Sequence, residues 1–362
     1  MEQKYKMLPF QVIEMEDRIV LKRGLSSMAI SDKNALIIIK VIQKALLQGP
    51  KTITELTQLF TGAVQNLIRD FVEHLITKKY LIPESDGQEH LHNEESPQDI
   101  FYWHFNLHQA DIAKVLNEQV WAFIGINELN KRLIQSLFAE GKESFIVVDD
   151  PSLRNVKYYD DQHEIIDAFW KDDRIEKVSE EEFIREPNDI GFMVAASEFG
   201  SFYLLESWNA YAVKNAIPFY PLLLQNMVGY AGPLVIRDEG ACLECVKLRQ
   251  NSASHNFAEK RLTEKFASQG QHVVAYHQSM VNILAEVGAF DLVRFKSNIQ
   301  WDLSTMCEVD LLSSTMTKRK LMKAPRCPVC SALDSQPLVN IHKQLTSEES
   351  WQEIEQTVGY DE

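Results

Sequence analysis

Two Cys-x-x-Cys pairs, far apart in one chain, constrain the fold more than any other feature. Cys242 and Cys245 stand in Ala-Cys-Leu-Glu-Cys, and Cys327 and Cys330 in Arg-Cys-Pro-Val-Cys-Ser. One such turn aims two thiolates at a single ion, and two turns complete a tetrahedron with Zn–S distances of ~2.3 Å. Four thiolates leave no open position for a substrate, so the metal this pattern implies is a structural zinc. The competing readings are a redox pair or two unrelated surface motifs. If the ion is bound, the C-terminal segment is pinned onto whatever domain carries the first pair. Cys307, the fifth cysteine, has no counterpart and reads as a buried apolar residue.

The chain has 362 residues, 45% apolar and 25% charged, which is material for two packed cores. With 37 basic against 52 acidic residues the net charge is -15, which argues against a non-specific nucleic-acid binder, whose surface must neutralise phosphates. The greasiest run, Ala35 to Leu47, is interrupted by Lys40 and Lys44, and the first residues lack an apolar signal core. No membrane association is expected. Paired cysteines that could hold metal fit a reducing compartment, so the expected location is cytoplasmic.

Phe10 to Met15 and Arg18 to Arg23 read as a hairpin turning at Glu16-Asp17, and Ser27 to Ile30 as a third strand. Three helices are expected next. Ser31 can cap the first, with Ala35, Leu36, Ile39, Ile42 and Leu46 on its stripe, and Gly49-Pro50 stops it. Thr52 and Glu55 form a capping box for the second, and Val64, Leu67, Ile68, Phe71, Leu75 and Ile76 mark the third. With Tyr80-Leu81-Ile82 behind them, these elements make a winged-helix-like module over residues 1–83. Its third helix mixes Arg69, Asp70, Glu73, Lys78 and Lys79 and offers no Arg/Asn cluster for base edges, so peptide binding is the better reading than DNA binding.

Residues 84–100 read as a polar linker, and Phe101 to Phe105 as the start of new structure or as linker residues docked on the second core. From 101 to 340 strands and helices alternate: Trp121 to Ile124, a helix to Ala139, Phe145 to Val148, Gly191 to Ala195, a helix through Tyr211, and Phe219 to Leu224. That is the pattern of a doubly wound α/β domain. The ten histidines include no His-Glu-x-x-His run, and no nucleophile elbow is present. His272 and His277, flanking a long apolar helix through Met280, Ile283, Leu284, Val287 and Leu292, read as solvated or satisfied. The polar segment Ser252 to Gln271, with Lys260, Arg261 and Lys265, reads as a solvated loop or a partner contact. The acidic tail, 341–362, carries Trp351 and Ile354 at the spacing of a short amphipathic helix that could dock a partner or cap its own domain.

Gly229, Gly232-Pro233-Leu234-Val235 and the two cysteine pairs together resemble the ThiF/MoeB-type, ubiquitin-activating-like adenylating fold over about residues 100 to 335. With the small module in front, the whole resembles the leader-peptide-binding "C" component of azoline-forming cyclodehydratases, whose N-terminal PqqD-like module is the precursor-recognition element. That resemblance implies a leader peptide added as a strand to the edge formed by Ser27, Met28, Ala29 and Ile30, beside Leu67, Ile68 and Phe71. Most of these side chains would also be core in any such module, so the groove as a whole is the candidate.

Active relatives keep a glycine-rich loop after the first strand so that backbone N–H groups approach phosphates. Here the stretch is Ile124-Gly125-Ile126-Asn127-Glu128-Leu129-Asn130, with one glycine, asparagine at Asn127 and Asn130, and a carboxylate at Glu128. Asp149, with Asp150 behind it, matches the family's ribose-binding acid or merely forms a strand-end turn before Pro151. The family's Asn-Leu-x-Arg-Gln run is not recognisable in Pro151-Ser152-Leu153-Arg154-Asn155. Its Thr-Asp-Asn is replaced by Ser197-Glu198-Phe199, where Glu198 reads as a shifted carboxylate or an exposed loop acid. Three departures imply a degenerate nucleotide site and no bound ATP. The resemblance then implies an adapter that recruits a precursor peptide to a YcaO-type cyclodehydratase and raises its local concentration there. Two alternatives are an ATP-dependent peptide-adenylating enzyme of the microcin type and a winged-helix DNA-binding regulator. A homodimer is left open.

Overall fold

The computed structural model describes residues 2–331 except 25, 85–96, 106, 108, 186–188, 254–258, 260, 261, 264, 265 and 267–273. Lys260, Arg261, Lys265, His272 and the acidic tail with Trp351 and Ile354 lie outside the described residues. The chain divides into two compact units, Met1–Val115 and Leu116–Glu362.

In the front unit the strands are β1 (Lys4–Met7), β2 (Gln11–Glu14), β3 (Ile19–Arg23), β4 (Ser26–Ile30), β5 (Lys51–Thr52) and β6 (Leu81–Pro83). Its helices are α1 (Ala35–Leu46), α2 (Ile53–Thr57), α3 (Gln65–Thr77) and α4 (Pro97–Trp103), and α5 (Gln109–Asn117) begins in it. β2, β3 and β4 form an antiparallel meander, with β4 paired to β3 from Ile19↔Ile30 to Arg23↔Ser26. Period-two alternation turns Ile19, Leu21 and Arg23 inward, the first two onto a core with Met28, Ile39, Ile42, Ile68, Val72 and Leu75. α2 starts where the sequence places it: Thr52 Oγ1 accepts from the Glu55 N–H at 3.1 Å, and Glu55 Oε2 accepts from the Thr52 N–H at 2.8 Å.

Three expectations need correction here. Ser31 does not cap α1: Asn34 is the capping residue, and the Asp32 carboxylate accepts from its N–H at 2.8 Å. A second sheet, in the order β5-β1-β6, carries the N-terminus. The stretch expected to be linker, 84–100, already enters α4 at Pro97, and the residues up to Val115 belong to the front unit. The cause is packing: Trp103 is buried against Leu8 and Ile82, with Ile100 beside them, so α4 adds to a core cluster of the front unit.

The rear unit is built on eight strands in the order β14-β13-β12-β11-β10-β7-β8-β9. They are β7 (Val120–Ile124), β8 (Phe145–Asp149), β9 (Ile175–Ser179), β10 (Ile190–Ser197), β11 (Phe219–Gln225), β12 (Val228–Ala231), β13 (Thr305–Asp310) and β14 (Thr315–Lys320). Pairing from β9 through β11 is parallel, and from β11 to β14 antiparallel. Its helices are α6 (Glu128–Ala139), α7 (Glu180–Arg185), α8 (Glu206–Lys214), α9 (Leu243–Ala253) and α10 (Gln278–Lys296).

Central parallel strands are buried on both faces, which is why β7, β8, β10 and β11 read as nearly unbroken apolar runs. Ala122, Ile124, Ile146 and Val148 point into a cluster with Trp208 and the four paired cysteines. The alternate residues Trp121, Phe123 and Phe145 meet Phe192 and Phe138, and Phe295 of α10 packs on Phe192. The α/β alternation thus follows the expected order, with β9, β12, β13 and β14 as additions. The C-terminal ends of β7, β8 and β10 meet at one edge, where such folds place their sites.

Candidate functional site

At that edge β7 ends in Gly125, whose φ of +99° suits glycine, and a Cβ there would lie 2.7 Å from Asn127 Nδ2 and 2.8 Å from the Leu153 Cβ. Asn127 is the capping residue of α6, its Oδ1 accepting from the Asn130 N–H at 3.0 Å. Its Nδ2 donates to the carbonyls of Ala196 at 2.8 Å and Leu153 at 3.1 Å. Asn130 Nδ2 donates to the carbonyls of Ile124 and Gly125, both at 2.7 Å. Both asparagines are fully buried; Asn127 ties the end of β10 to the turn after β8, and Asn130 holds α6 to the end of β7.

The first N–H groups of a helix are orphan donors at the positive end of its dipole, a ready anion site. Here the anion is part of the chain. Glu198 Oε2 accepts from the N–H of Glu128 at 2.9 Å and of Leu129 at 3.2 Å, and Asn155 Nδ2 donates to its Oε1. Glu198 is 0% exposed, so the reading as an exposed loop acid is overturned. The reason is geometric: β10 runs to Ser197, two residues past the end read from the sequence, and delivers Glu198 onto the α6 terminus. Burial pushes its carboxyl above the ordinary value, against the hydrogen bond from Asn155 and the charge of Lys157.

Glu128, the first residue of α6, is also nearly buried. Its carboxylate accepts from Lys157 Nζ at 2.5 Å, Arg132 Nε at 3.0 Å, Gln278 Nε2 at 3.0 Å and the Tyr158 hydroxyl. Burial raises its pKa, but the hydrogen bonds from Lys157 and Tyr158 with the charges of Lys157 and Arg132 outweigh that and hold it below the ordinary value. Asp149 is held by Arg154 through Nε at 2.6 Å and Nη2 at 2.9 Å, and by the Tyr159 hydroxyl at 2.8 Å. Asp150 caps the turn Pro151–Leu153 through the Ser152 N–H at 2.8 Å and accepts from Trp208 Nε1 at 2.7 Å. Asn155, Lys157, Tyr158 and Trp208 were not singled out from sequence. They lie in short turns or on a helix face with no motif spacing, so no sequence signal points to them. His277 caps α10 by accepting from the Ser279 N–H at 3.2 Å, as a satisfied histidine should.

Below the sheet, the four paired cysteines converge although α9, α10 and the β13–β14 hairpin intervene in sequence. Cys242 and Cys327 Sγ are 3.6 Å apart, Cys245 and Cys330 3.5 Å, Cys242 and Cys245 3.9 Å, and all four lie within 4.8 Å of one another. A regular tetrahedron with ~2.3 Å Zn–S bonds has edges of about 3.8 Å, whereas a disulfide needs about 2.05 Å. The cluster therefore has the donors and dimensions for a four-coordinate ion and not those of disulfides. Mutual hydrogen bonding pushes the Cys245 thiol well below its ordinary value and Cys242 well above. Cys307, on β13, is buried apart from them.

In the front unit β4 is the outer strand of its sheet, with Ser27 and Ala29 exposed, Met28 buried and Ile30 half-buried. Met28 and Ile68 are in the front core, and Ile30 and Phe71 pack against it. Leu67 is 59% exposed and belongs to no core cluster, which sets it apart from the other apolar residues named for the groove.

No protein-family model matches the chain, and no curated protein matches it in sequence. Among solved structures it is similar to E. coli MccB, with a TM-score of 0.65 and 14% identity over 91% of this chain and 99% of that one. It is similar to the microcin biosynthetic enzyme MccB in complex with N-formylated MccA, with a TM-score of 0.68, 13% identity, and coverage of 91% and 100%. It is also similar to the heterocyclase TruD, with a TM-score of 0.60 and 15% identity over 92% of this chain but only 43% of that one. E. coli MccB has also been solved with ATP. These likenesses define the fold: a mixed α/β protein with a large sheet, similar to MccB.

Proposed function

We propose that this protein is a peptide-binding adapter in the biosynthesis of a ribosomally made, modified peptide, with a rear unit whose nucleotide pocket is closed from within. The observation that carries the reading is Glu198, whose carboxylate occupies the α6 N-terminus where a phosphate would otherwise bind. A second anion there would meet Glu198 and Glu128 together, and like charges in a buried site repel strongly. Supporting it are similarities to MccB, solved in complex with the peptide MccA, and to the heterocyclase TruD.

In this reading the front unit acts as a winged-helix-like recognition element. A leader peptide extends the sheet at Ser27, Met28, Ala29 and Ile30, and its side chains rest against Leu67 and Phe71, with Ile68 part of the core. Cys242, Cys245, Cys327 and Cys330 hold a structural zinc, which ties the segment after β14 to the start of α9 and takes no part in chemistry. Catalysis belongs to a partner, a YcaO-type cyclodehydratase, and the adapter contributes effective concentration. Fluorescence polarisation with labelled leader peptides encoded beside this gene tests it. Saturable binding, with faster azoline formation by the partner when the adapter is added, is the expected result. Absence of both for every neighbouring precursor would refute it.

A further inference from the structure

The front unit contains a charge that nothing described neutralises. Arg23, the last residue of β3, is 3% exposed, yet its Nε and Nη2 have no hydrogen-bond partner among the described residues. Only Nη1 is used, donating to the Lys79 carbonyl, while the Tyr80 ring lies 5.5 Å from the guanidinium carbon. Its neighbours add positive charge or none. Lys79 Nζ donates to the His104 carbonyl at 2.9 Å, and the His104 ring lies 3.0 Å from where a Cβ on Gly24 would stand. Burial, then the charges of Arg23 and Lys79, lower the His104 pKa. No carboxylate pairs with Arg23 among the described residues.

A buried guanidinium without a counter-charge is costly, and replacing it by an apolar residue is the simplest relief. A receptor for an anion keeps it instead. The two open donors also specify which anion. Elsewhere in this chain Arg154, Arg174 and Arg319 each grip a carboxylate through the same Nε/Nη2 edge, on Asp149, Asp172 and Glu308. That edge presents two parallel N–H bonds to two oxygens in one plane, the bidentate match for a carboxylate.

We propose that the unpartnered Nε/Nη2 edge of Arg23, covered in this structure, receives an acidic side chain of the guest peptide on binding, so that the ligand is a strand with apolar alternation and one Asp or Glu at the Ser26 end. This rests on the peptide-binding reading above and adds its chemical specificity. The register supports it, because Arg23 pairs with Ser26, the first residue of the outer strand. A guest strand beside β4 would pass two strand spacings, about 10 Å, from β3, a gap that an arginine and a glutamate side chain can bridge together.

The test offers the full-length protein two libraries of end-capped decapeptides, one containing Asp and Glu and the other Asn and Gln in their place. The bound fractions are then sequenced. With the native protein, alternating apolar residues and one acidic position are enriched, the acid by at least about tenfold over its amide. Arg23→Met abolishes the acidic preference and Arg23→Lys, which keeps charge but not the fork, loses most of it, while both keep the apolar pattern and so report an intact fold. Apolar enrichment without acidic preference in the native protein overturns this inference and leaves the peptide-binding reading standing. No enrichment of any kind removes both.

Discussion

The acids at the rear unit's strand ends and Arg23 in the front unit meet burial in opposite ways. In the rear unit every acid at the strand-end pocket is answered: Glu198 by two backbone N–H groups and Asn155, Glu128 by Lys157, Arg132, Tyr158 and Gln278, Asp149 by Arg154 and Tyr159. In the front unit Arg23 is as well buried as these acids and has an empty edge. A satisfied network stabilises and needs no ligand, whereas an unsatisfied one costs stability until something completes it. The difference teaches where to look for binding: at a buried charge that lacks a partner, not at one whose hydrogen bonds the chain already supplies.

The largest expected effect separates the units by metal. Structural zinc contributes on the order of 10 kcal/mol or more, as much as a domain's whole stability. Chelation, or Cys245→Ser, should therefore abolish cooperative melting of the rear unit, and hydrogen exchange should find the amides of β3 and α3 still protected. Equal loss in both units would break the comparison.

Next in size is Glu198→Ala. Removing the carboxylate leaves the Glu128 and Leu129 N–H groups unanswered, at about 2 kcal/mol in denaturant melts. It also frees an anion site, so phosphate should raise the melting temperature of this variant and leave the native protein unchanged. Leu67→Asp acts on the front unit alone. Because Leu67 is 59% exposed, stability should stay within about 0.5 kcal/mol, while leader affinity in fluorescence polarisation falls about tenfold.

Smallest is a pair of opposed pH slopes. Unfolded, the Glu198 carboxyl ionises near the ordinary glutamate value of 4.5, and folding raises that pKa. Between the two values the folded state keeps the extra proton, so this group's contribution to stability declines as pH rises through that window. Glu128 is held below 4.5, so its contribution is fully present above 4.5 and is lost as pH falls through the lower, folded value. Denaturant melts across this range should show Glu198→Gln flattening the first slope and Glu128→Gln the second.

Much of this was legible in the sequence, for reasons that differ by element. The capping box of Thr52 and Glu55 and the apolar runs of β7, β8, β10 and β11 are local patterns, and they fold where they read. The cysteine pairs were legible because metal geometry fixes their spacing. Short β5 could not be read from two residues, and α4 was masked by the polar stretch before it. Asn127 and Asn130 stood out in the sequence, but not that their amides would hold α6, β7, β10 and the turn after β8 together. Glu198 and Arg23 depend on long-range placement: one acts on a helix 70 positions away, and the other is defined by partners it lacks.

Isothermal titration of magnesium-ATP into the full-length, zinc-loaded protein tests the sealed pocket most directly. No heat of binding at millimolar nucleotide, with weak binding appearing in Glu198→Ala, is the result expected. Saturable micromolar binding to the native protein would contradict it, because the triphosphate would then have displaced Glu198 from the end of α6.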